Sequence, residues 1–90
     1  MNTITTEIAK IVDNNNVVAY GRLTGDCIHD LEVDPDYRRH GFATAIIREL
    51  IQLGGKRLWV KKDNDAAISL YRKLGGTVFK EDNGYYDMRF

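Results

Sequence analysis

Polar and apolar positions alternate over the first third of the chain, with the period of two that is typical of half-buried β-strands. The alternation predicts strands over residues 4–12, 17–23 and 27–33. Two segments rich in turn-forming residues separate them, Asp13–Asn16 and Thr24–Asp26. Three antiparallel strands are therefore expected to open the chain.

Beyond residue 34 the apolar positions recur at helical spacing. Pro35 ends the third strand, because proline cannot donate a backbone hydrogen bond to a sheet. Five apolar residues then form one stripe: Ala43, Ile46, Ile47, Leu50 and Ile51. This stripe predicts a first helix that ends at Gly54–Gly55. A second stripe predicts a helix over residues 65–74, which Asp63 or Asn64 caps and Gly75–Gly76 closes.

A short apolar run and a final hairpin complete the pattern. Leu58–Val60 is continuously apolar, as expected of a buried strand that runs parallel to its neighbour. Residues 77–80 and 85–90 flank an Asn-Gly turn and predict the hairpin. The predicted order is βββαβαββ. The expected fold class is α+β, of the three-layer α/β type, with a mixed, mostly antiparallel sheet in a single domain over residues 1–90.

Composition and charge exclude several classes of protein. Hydrophobic residues make up 43% of the chain and charged residues 29%, the ordinary range for a soluble globular domain. The net charge of zero argues against a nucleic-acid-binding protein, and no apolar run is long enough for a membrane helix. The single cysteine and the absence of a secretory signal favour a reducing, cytoplasmic location.

The loop before the first helix has the features of an anion site. The loop and the helix start read Arg38-Arg39-His40-Gly41-Phe42-Ala43-Thr44. A helix start offers unpaired N–H groups and the positive end of the helix dipole, and small residues let a ligand approach them closely. Pyrophosphate would fit such a site. A surface loop with solvated arginines has the same pattern, so this segment alone leaves both interpretations open.

A second pair of candidate residues lies on the second predicted helix. Asn64 and Tyr71 are seven positions apart, so they share one side of the helix, two turns from each other. Taken singly, each residue has an ordinary structural explanation, Asn64 as a helix cap and Tyr71 as a core residue.

Taken together, the two segments resemble the two signatures of the GNAT superfamily of N-acetyltransferases. Residues 31–43 are similar to its acetyl-CoA signature, whose core is Arg or Gln, two residues, Gly, one residue, then Gly or Ala. Residues 64–75 are similar to its second signature, Asn…Ala…Leu-Tyr…Leu-Gly. The signatures stand in the family order with a predicted strand between them, and the resemblance covers residues 17–90.

The resemblance implies an acetyl-CoA-dependent N-acetyltransferase whose central parallel strands splay apart. It implies that acetyl-CoA is a co-substrate and that no metal is used. The main chain of Leu31 and Val33 would bind the pantetheine arm, and the Leu31 N–H would polarise the thioester carbonyl. Asn64 would also bind pantetheine, and Tyr71 would protonate the departing thiolate. The residues that would bind the pyrophosphate are Arg38, Arg39, His40, Gly41, Phe42, Ala43 and Thr44.

The group that takes a proton from the acceptor amine is predicted to be His29. Alternation along the third strand places His29 on the same face as Leu31 and Val33, and some family members have a histidine base at this place. A purely structural histidine is the alternative. Cys27 is interpreted as a small buried side chain and not as a nucleophile.

The acceptor is expected to be a primary amine, either a protein lysine or a small amine, that attacks directly in a ternary complex. The chain begins where the second strand of the family would lie, so the sheet is expected to have an exposed edge that a second copy or another protein covers. An acyl-CoA-binding module without turnover is the alternative from a different class.

In the C-terminal part, one residue departs from the family pattern and two tyrosines have two interpretations each. Gly76 stands where the family usually has an apolar residue, so a looser corner between helix and strand is expected. Tyr85 and Tyr86 are interpreted as cross-strand packing residues, with lining of the acceptor side as the alternative.

Overall fold

The computed structural model describes residues 5–90, which form six strands, two α-helices and a single 3-10 turn at Pro35–Tyr37. The elements are β1 (Thr6–Asp13), β2 (Asn16–Thr24), β3 (Cys27–Val33), α1 (Phe42–Gln52), β4 (Arg57–Lys61), α2 (Asp65–Lys73), β5 (Thr77–Asp82) and β6 (Tyr85–Arg89). This confirms the predicted order. Ile4, which the sequence places in the first strand, lies outside the described residues. None of the helices in residues 5–90 could span a lipid bilayer.

One pair of neighbouring strands in the sheet diverges. The strand order is β1-β2-β3-β4-β6-β5, and β3–β4 is the parallel pair, while the other neighbours are antiparallel. The crossover through α1 joins β3 to β4. Their register contains a single pair, Cys27 with Arg57, at the start of both strands. Toward their carboxyl ends the two strands separate and leave an opening in the sheet, as the family resemblance implies.

The hydrophobic core lies between the sheet and the two helices. Its most enclosed members are Ile47, Leu50 and Met88, from α1 and β6. A Cβ atom on Gly21 would lie 2.8 Å from the Ile46 side chain, so this glycine lets α1 approach β2 closely. Tyr71 of α2 belongs to the same core cluster. Both helices therefore pack on one face of the sheet.

The other face of the sheet, which we call the helix-free face, has no helix on it within residues 5–90. Trp59 is 40% exposed there and Phe79 is 63% exposed. The sequence interpretation of β4 as buried on both faces was therefore wrong for Trp59, whereas its neighbours Leu58 and Val60 are buried against the helices. The described residues thus form one sheet and one helical layer.

A β-bulge interrupts β3 at Asp30. Tyr20 of β2 pairs with Glu32, whereas Arg22 pairs with His29, so β3 contains one extra residue between these pairs. Asp30 has a left-handed backbone, with φ of 54°. The extra residue inverts the side-chain alternation of a strand, which changes the face of every residue on one side of it.

Candidate functional site

The separation of β3 from β4 forms a cleft of about 700 Å³ that passes through the sheet. On the side of the helices, Asn64 and Tyr71 line it. On the helix-free face, His29, Trp59 and Tyr85 line it. The structure thus brings the residues of the second signature and the predicted base to one cleft, which a ligand can approach from both faces.

The backbone at the start of α1 presents six successive N–H groups without a partner. Within residues 5–90, no hydrogen bond is donated by the amides of residues 39–44. Gly41 is the N-cap of α1 and offers no side-chain acceptor. Arg39 and Gly41 both have left-handed backbones, with φ of 66° and 77°. Such alternation turns consecutive N–H groups toward one concavity, which attracts phosphate oxygens.

The loop is bounded by aromatic and apolar side chains. Phe42 stacks on Tyr37 with ring centroids 6.0 Å apart, and the ring of His40 lies 5.9 Å from it. A small cavity of about 240 Å³ beside the loop is lined by Val33, Arg38 and the first turn of α1, together with Leu70. All of the predicted binding residues at positions 38–44 except His40 therefore line one cavity together with Val33.

Asn64 is the N-cap of α2, and its Oδ1 accepts a hydrogen bond of 3.2 Å from the Ala67 N–H. The structural explanation is therefore correct as far as the carbonyl oxygen is concerned. The side-chain amide has two further N–H donors. Because Asn64 lines the cleft, these donors are available to a ligand there.

Tyr71 has a buried ring and a hydroxyl group at the cleft. The residue is 8% exposed, and its ring meets Phe90 edge to face, with centroids 6.4 Å apart. Within residues 5–90 its hydroxyl group forms no hydrogen bond and is not among the fully enclosed polar atoms. Burial raises the pKa of the phenol above its usual value. A phenol that stays protonated and faces a cleft can donate a proton to a group bound there.

Gly76 provides the space that Phe90 occupies. A Cβ atom at Gly76 would lie 2.9 Å from the Tyr71 carbonyl oxygen and 3.0 Å from the Phe90 ring. The Gly76 N–H also donates to that carbonyl oxygen, over 2.9 Å. The departure from the family pattern therefore accompanies close packing of Phe90 at this corner.

His29 lies on the helix-free face, so the prediction that it shares a face with Leu31 and Val33 was wrong. The bulge at Asp30 is the physical reason, because Val33 pairs with the buried Ala19 while His29 pairs with the partly exposed Arg22. His29 still lines the cleft, but from the opposite side of the sheet to Tyr71.

The side chain of His29 is held by hydrogen bonds at both ring nitrogens. Its Nε2 lies 2.7 Å from the Thr24 hydroxyl group, which is 2.8 Å from the Thr6 hydroxyl group. Its Nδ1 lies 3.1 Å from a carboxylate oxygen of Asp30, which also accepts from Arg22. When Nδ1 carries the proton, it donates to Asp30 and leaves Nε2 as an acceptor.

Cys27 lies at the closed end of the cleft, where β3 and β4 pair. It is partly buried and does not line the cleft. Burial is the main cause that raises the pKa of its thiol above the usual value, and the nearby Arg57 opposes that shift. A thiol with a raised pKa is a weak nucleophile, which agrees with its interpretation as a structural residue.

Sequence reasoning missed several residues around the cleft. Asp30 and Thr24 contact His29, and neither stands at a spacing that marks a site. Trp59 was also missed and forms part of the wall on the helix-free face, beside Tyr85, for which lining of the acceptor side was the alternative interpretation. The left-handed bulge that organises this side had one faint signal, an aspartate inside a strand pattern, since Asp tolerates that backbone better than most residues.

Comparison with known proteins finds a protein family and several relatives that this chain resembles. A model of the acetyltransferase (GNAT) family matches residues 5–76. The [ribosomal protein bS18]-alanine N-acetyltransferase of Escherichia coli is 38% identical over 65 residues, which are 66% of this chain and 44% of that enzyme. The chain spans less than half the length of the curated relatives it matches here.

Solved structures share the arrangement of the sheet. The crystal structure of the ribosomal-protein-S18-alanine N-acetyltransferase from Escherichia coli has a TM-score of 0.67 at 27% identity, over 93% of this chain and 65% of that chain. The PaiA N-acetyltransferase from Thermoplasma acidophilum, in complex with coenzyme A, has a TM-score of 0.79 at 18% identity, over 93% of this chain and 59% of that chain. The second likeness shows the fold alone.

Proposed function

This chain belongs to the acetyltransferase (GNAT) family, and on that premise we propose that it transfers an acetyl group from acetyl-CoA to a primary amine. One observation carries the proposal: the unpartnered amides of residues 39–44 and the Tyr71 hydroxyl group lie at adjoining cavities, since Val33 and Leu70 line the first and their chain neighbours Glu32 and Tyr71 line the opening between β3 and β4. The first feature suits a pyrophosphate and the second suits a thiolate leaving group.

Acetyl-CoA would enter from the helical side of the cleft. Arg38 and the amides of residues 39–44 would bind its pyrophosphate, because their dipoles and charge favour an anion. The pantetheine arm would extend along the unpaired edge of β3, where main-chain groups of Leu31 and Val33 and the side-chain amide of Asn64 can bond it. The Leu31 N–H would then polarise the thioester carbonyl as negative charge develops on its oxygen.

Transfer would proceed by direct attack. The amine nitrogen bonds to the thioester carbon, the carbon–sulfur bond breaks, and an amide and the free thiol of CoA are formed. The acceptor ammonium loses two protons in all: His29, which lines the cleft, receives the first through water before the attack, and water takes the second as the amide forms. The thiolate gains one proton, which Tyr71 supplies. Both side chains then exchange protons with solvent and regain their starting states.

The acceptor would reach the thioester from the helix-free face, where His29 lies. A face without a helix over it can admit an amine on a large partner, either a protein lysine or the α-amine of a polypeptide. The Escherichia coli relative is named for its action on an alanine of a ribosomal protein, and the amine of an alanine is an α-amine. We therefore include polypeptide α-amines among the proposed acceptors.

The test combines coenzyme binding with turnover. We expect acetyl-CoA to raise the melting temperature of the protein, since a ligand that binds only the folded state stabilises it. We also expect release of free thiol that depends on an added amine or polypeptide, with the acetylated product identified by mass spectrometry. The absence of any thermal shift or calorimetric heat with acetyl-CoA and with CoA would refute the proposal.

A second candidate function is an acyl-CoA-binding module without turnover. The observation that favours it is that both ring nitrogens of His29 already have partners in this structure, Thr24 and Asp30. Such a module would show the thermal shift with acetyl-CoA, while no amine or polypeptide would accelerate thiol release.

A partner at the edge of the sheet is a further part of the proposal. β1 forms one edge of the sheet, and its Ile8 and Val12 are 49% and 53% exposed. We propose that a second copy or a partner protein covers this edge, because exposed edges with apolar side chains tend to pair. A strict monomer by light scattering at micromolar concentration, with no partner recovered after crosslinking, would contradict it.

A further inference from the structure

The mouth of the cleft on the helix-free face has opposite charges on its two walls. Glu32 of β3 lies on one wall and Lys61 of β4 on the other, and both line the cleft. Their register partners place both on the helix-free face, since Glu32 pairs with Tyr20 and Lys61 pairs with Tyr85. An acceptor that approaches from this face would therefore meet a negative charge on the β3 wall and a positive charge on the β4 wall.

Neither charge is neutralised by a neighbour. The ion pairs among residues 5–90 include neither Glu32 nor Lys61, although they include Asp30, two positions before Glu32, and Lys62, which follows Lys61. Both side chains are exposed. A charged group without an internal partner at the rim of a cleft can interact with a ligand at no cost of a broken ion pair.

Two aromatic residues flank the lysine. Trp59 precedes Lys61 by two positions on the same face of β4, and Tyr85 is its partner on β6. They are 40% and 39% exposed, and both line the cleft. Rigid aromatic side chains contribute contact area to a bound polypeptide segment, and the lysine between them supplies the charge that an anionic side chain would meet.

We propose that this mouth selects amines that carry a negative charge close by, and that Lys61 is the residue that recognises the charge. Glu32 attracts the ammonium group of the acceptor toward β3, and Lys61 binds a carboxylate on the neighbouring residue toward β4. The substrate class is then a polypeptide α-amine followed by Asp or Glu. This inference rests on the proposed acetyl transfer and adds to it a preference that the transfer itself does not require.

The test uses three short peptides that differ only at the second residue, Ala-Asp, Ala-Asn and Ala-Lys at their amino termini. We expect the wild-type protein to use the Asp peptide about fivefold more efficiently than its Asn counterpart in kcat/KM, the size of a good exposed ion pair. The difference should reside in KM, because the charge contact is the same before and during transfer.

Variants at two adjacent lysines separate this role from a general effect of charge. Lys61→Met should abolish the preference, and Lys61→Glu should reverse it in favour of the Lys peptide. Lys62→Met makes the same change in net charge, but Lys62 pairs with Glu81 and does not line the cleft, so the preference should persist. Glu32→Gln should raise KM for all three peptides by about the same factor of two to five.

Equal use of the three peptides by the wild type, or a preference that survives Lys61→Met, would overturn the inference while leaving acetyl transfer intact. Calorimetry of the three peptides on the protein saturated with CoA provides the second readout. If no peptide is acetylated but the Asp peptide binds more tightly through Lys61, transfer to polypeptide α-amines is contradicted and the recognition proposal stands. Equal binding or no binding in that experiment would overturn the recognition proposal as well.

Discussion

The two sides of the cleft are built by different means. On the helical side, the candidate residues are held by regular structure, with the amides of residues 39–44 fixed by the start of α1 and Tyr71 fixed by core packing. On the helix-free side, His29 depends on a bulge and on side-chain hydrogen bonds to Thr24 and Asp30. The difference suggests that donor binding is preorganised by the backbone, whereas the acceptor side depends on individual side chains that substitution can alter.

The largest expected effect comes from removing the proton donor on the helical side. Tyr71→Phe keeps the buried ring and its contact with Phe90, so folding should be unchanged. We expect kcat to fall about a hundredfold, equivalent to about 2.7 kcal/mol, because the thiolate then leaves without general acid assistance. Steady-state thiol release measures the loss, and the thermal shift with acetyl-CoA should remain.

A tyrosine outside the cleft provides the control for this change. Tyr86→Phe removes a hydroxyl group from β6 on a side chain that does not line the cleft. Its kcat should stay within about twofold of the wild type. Similar losses in both variants would show that phenol removal acts through stability, and the assignment of Tyr71 as the acid would be withdrawn.

The next effect tests the anion site by setting stability against binding. Ala43→Asp places a carboxylate in the first turn of α1, where an acidic residue stabilises the helix by about 0.5 kcal/mol. The same carboxylate would repel a bound pyrophosphate by about 2 kcal/mol, so the affinity for CoA should fall about thirtyfold. Thermal unfolding and calorimetry measure the two quantities.

A gain in stability together with a loss of CoA affinity would identify a phosphate site, because a loop with only a structural role would show no loss of affinity. Ala45→Asp adds the same charge to an exposed position of the same helix. It should weaken CoA binding by less than about threefold, since the charge lies farther from the amides of residues 39–44. Unchanged CoA affinity in Ala43→Asp would remove the helix start from the binding site.

The helical side of the cleft could be predicted from sequence because periodicity and small-residue patterns encode it. The stripe of Ile46, Ile47 and Leu50 predicts the helix, and the small Gly41, named as a place of close approach for a ligand, is its N-cap in the structure. Asn64 and Tyr71 were brought to one cleft as their spacing indicates. Regular elements follow local rules, so one sequence carries enough information for them.

The helix-free side could not be predicted in the same way. One extra residue at Asp30 inverts the alternation of β3, and no local rule fixes where a bulge occurs. The exposure of Trp59 depends on what covers the sheet, which is a tertiary property that the apolar run over residues 58–60 does not reveal. Both errors arose because the face of a residue was inferred from strand periodicity alone.

A smaller effect is expected from the base on the helix-free side. His29→Gln keeps a hydrogen-bonding side chain but cannot take up a proton in this pH range. We expect kcat/KM to fall about tenfold at pH 7. The deficit should shrink as pH rises past the ordinary α-amine pKa of about 8, because most of the acceptor is then already unprotonated and needs no base. A deficit of constant size from pH 7 to pH 9 would assign His29 a positioning role instead.

The smallest effect concerns the stability of the helix-free face, where Asp87 is fully buried beside the 38% exposed Arg89. Two hydrogen bonds of 2.8 and 3.0 Å from the Arg89 guanidinium lower the pKa of the Asp87 carboxyl below its usual value. A carboxyl with a lowered folded-state pKa stabilises the protein above its unfolded value near pH 4. That stabilisation is lost as pH falls through the folded-state pKa. Asp87→Asn should therefore cost about 1 kcal/mol in urea unfolding at pH 7, and the gap to the wild type should narrow as pH falls below the unfolded-state value of about 4.

The matched control is Asp82→Asn, since Asp82 is an exposed carboxylate on β5 and its loss should leave stability within about 0.5 kcal/mol. CoA affinity should be unchanged in both variants, because Asp87 faces away from the helices that would hold the coenzyme. A drop in CoA affinity in Asp87→Asn would mean that the two faces of the sheet are coupled. Donor binding could then no longer be treated as a property of the helical side alone.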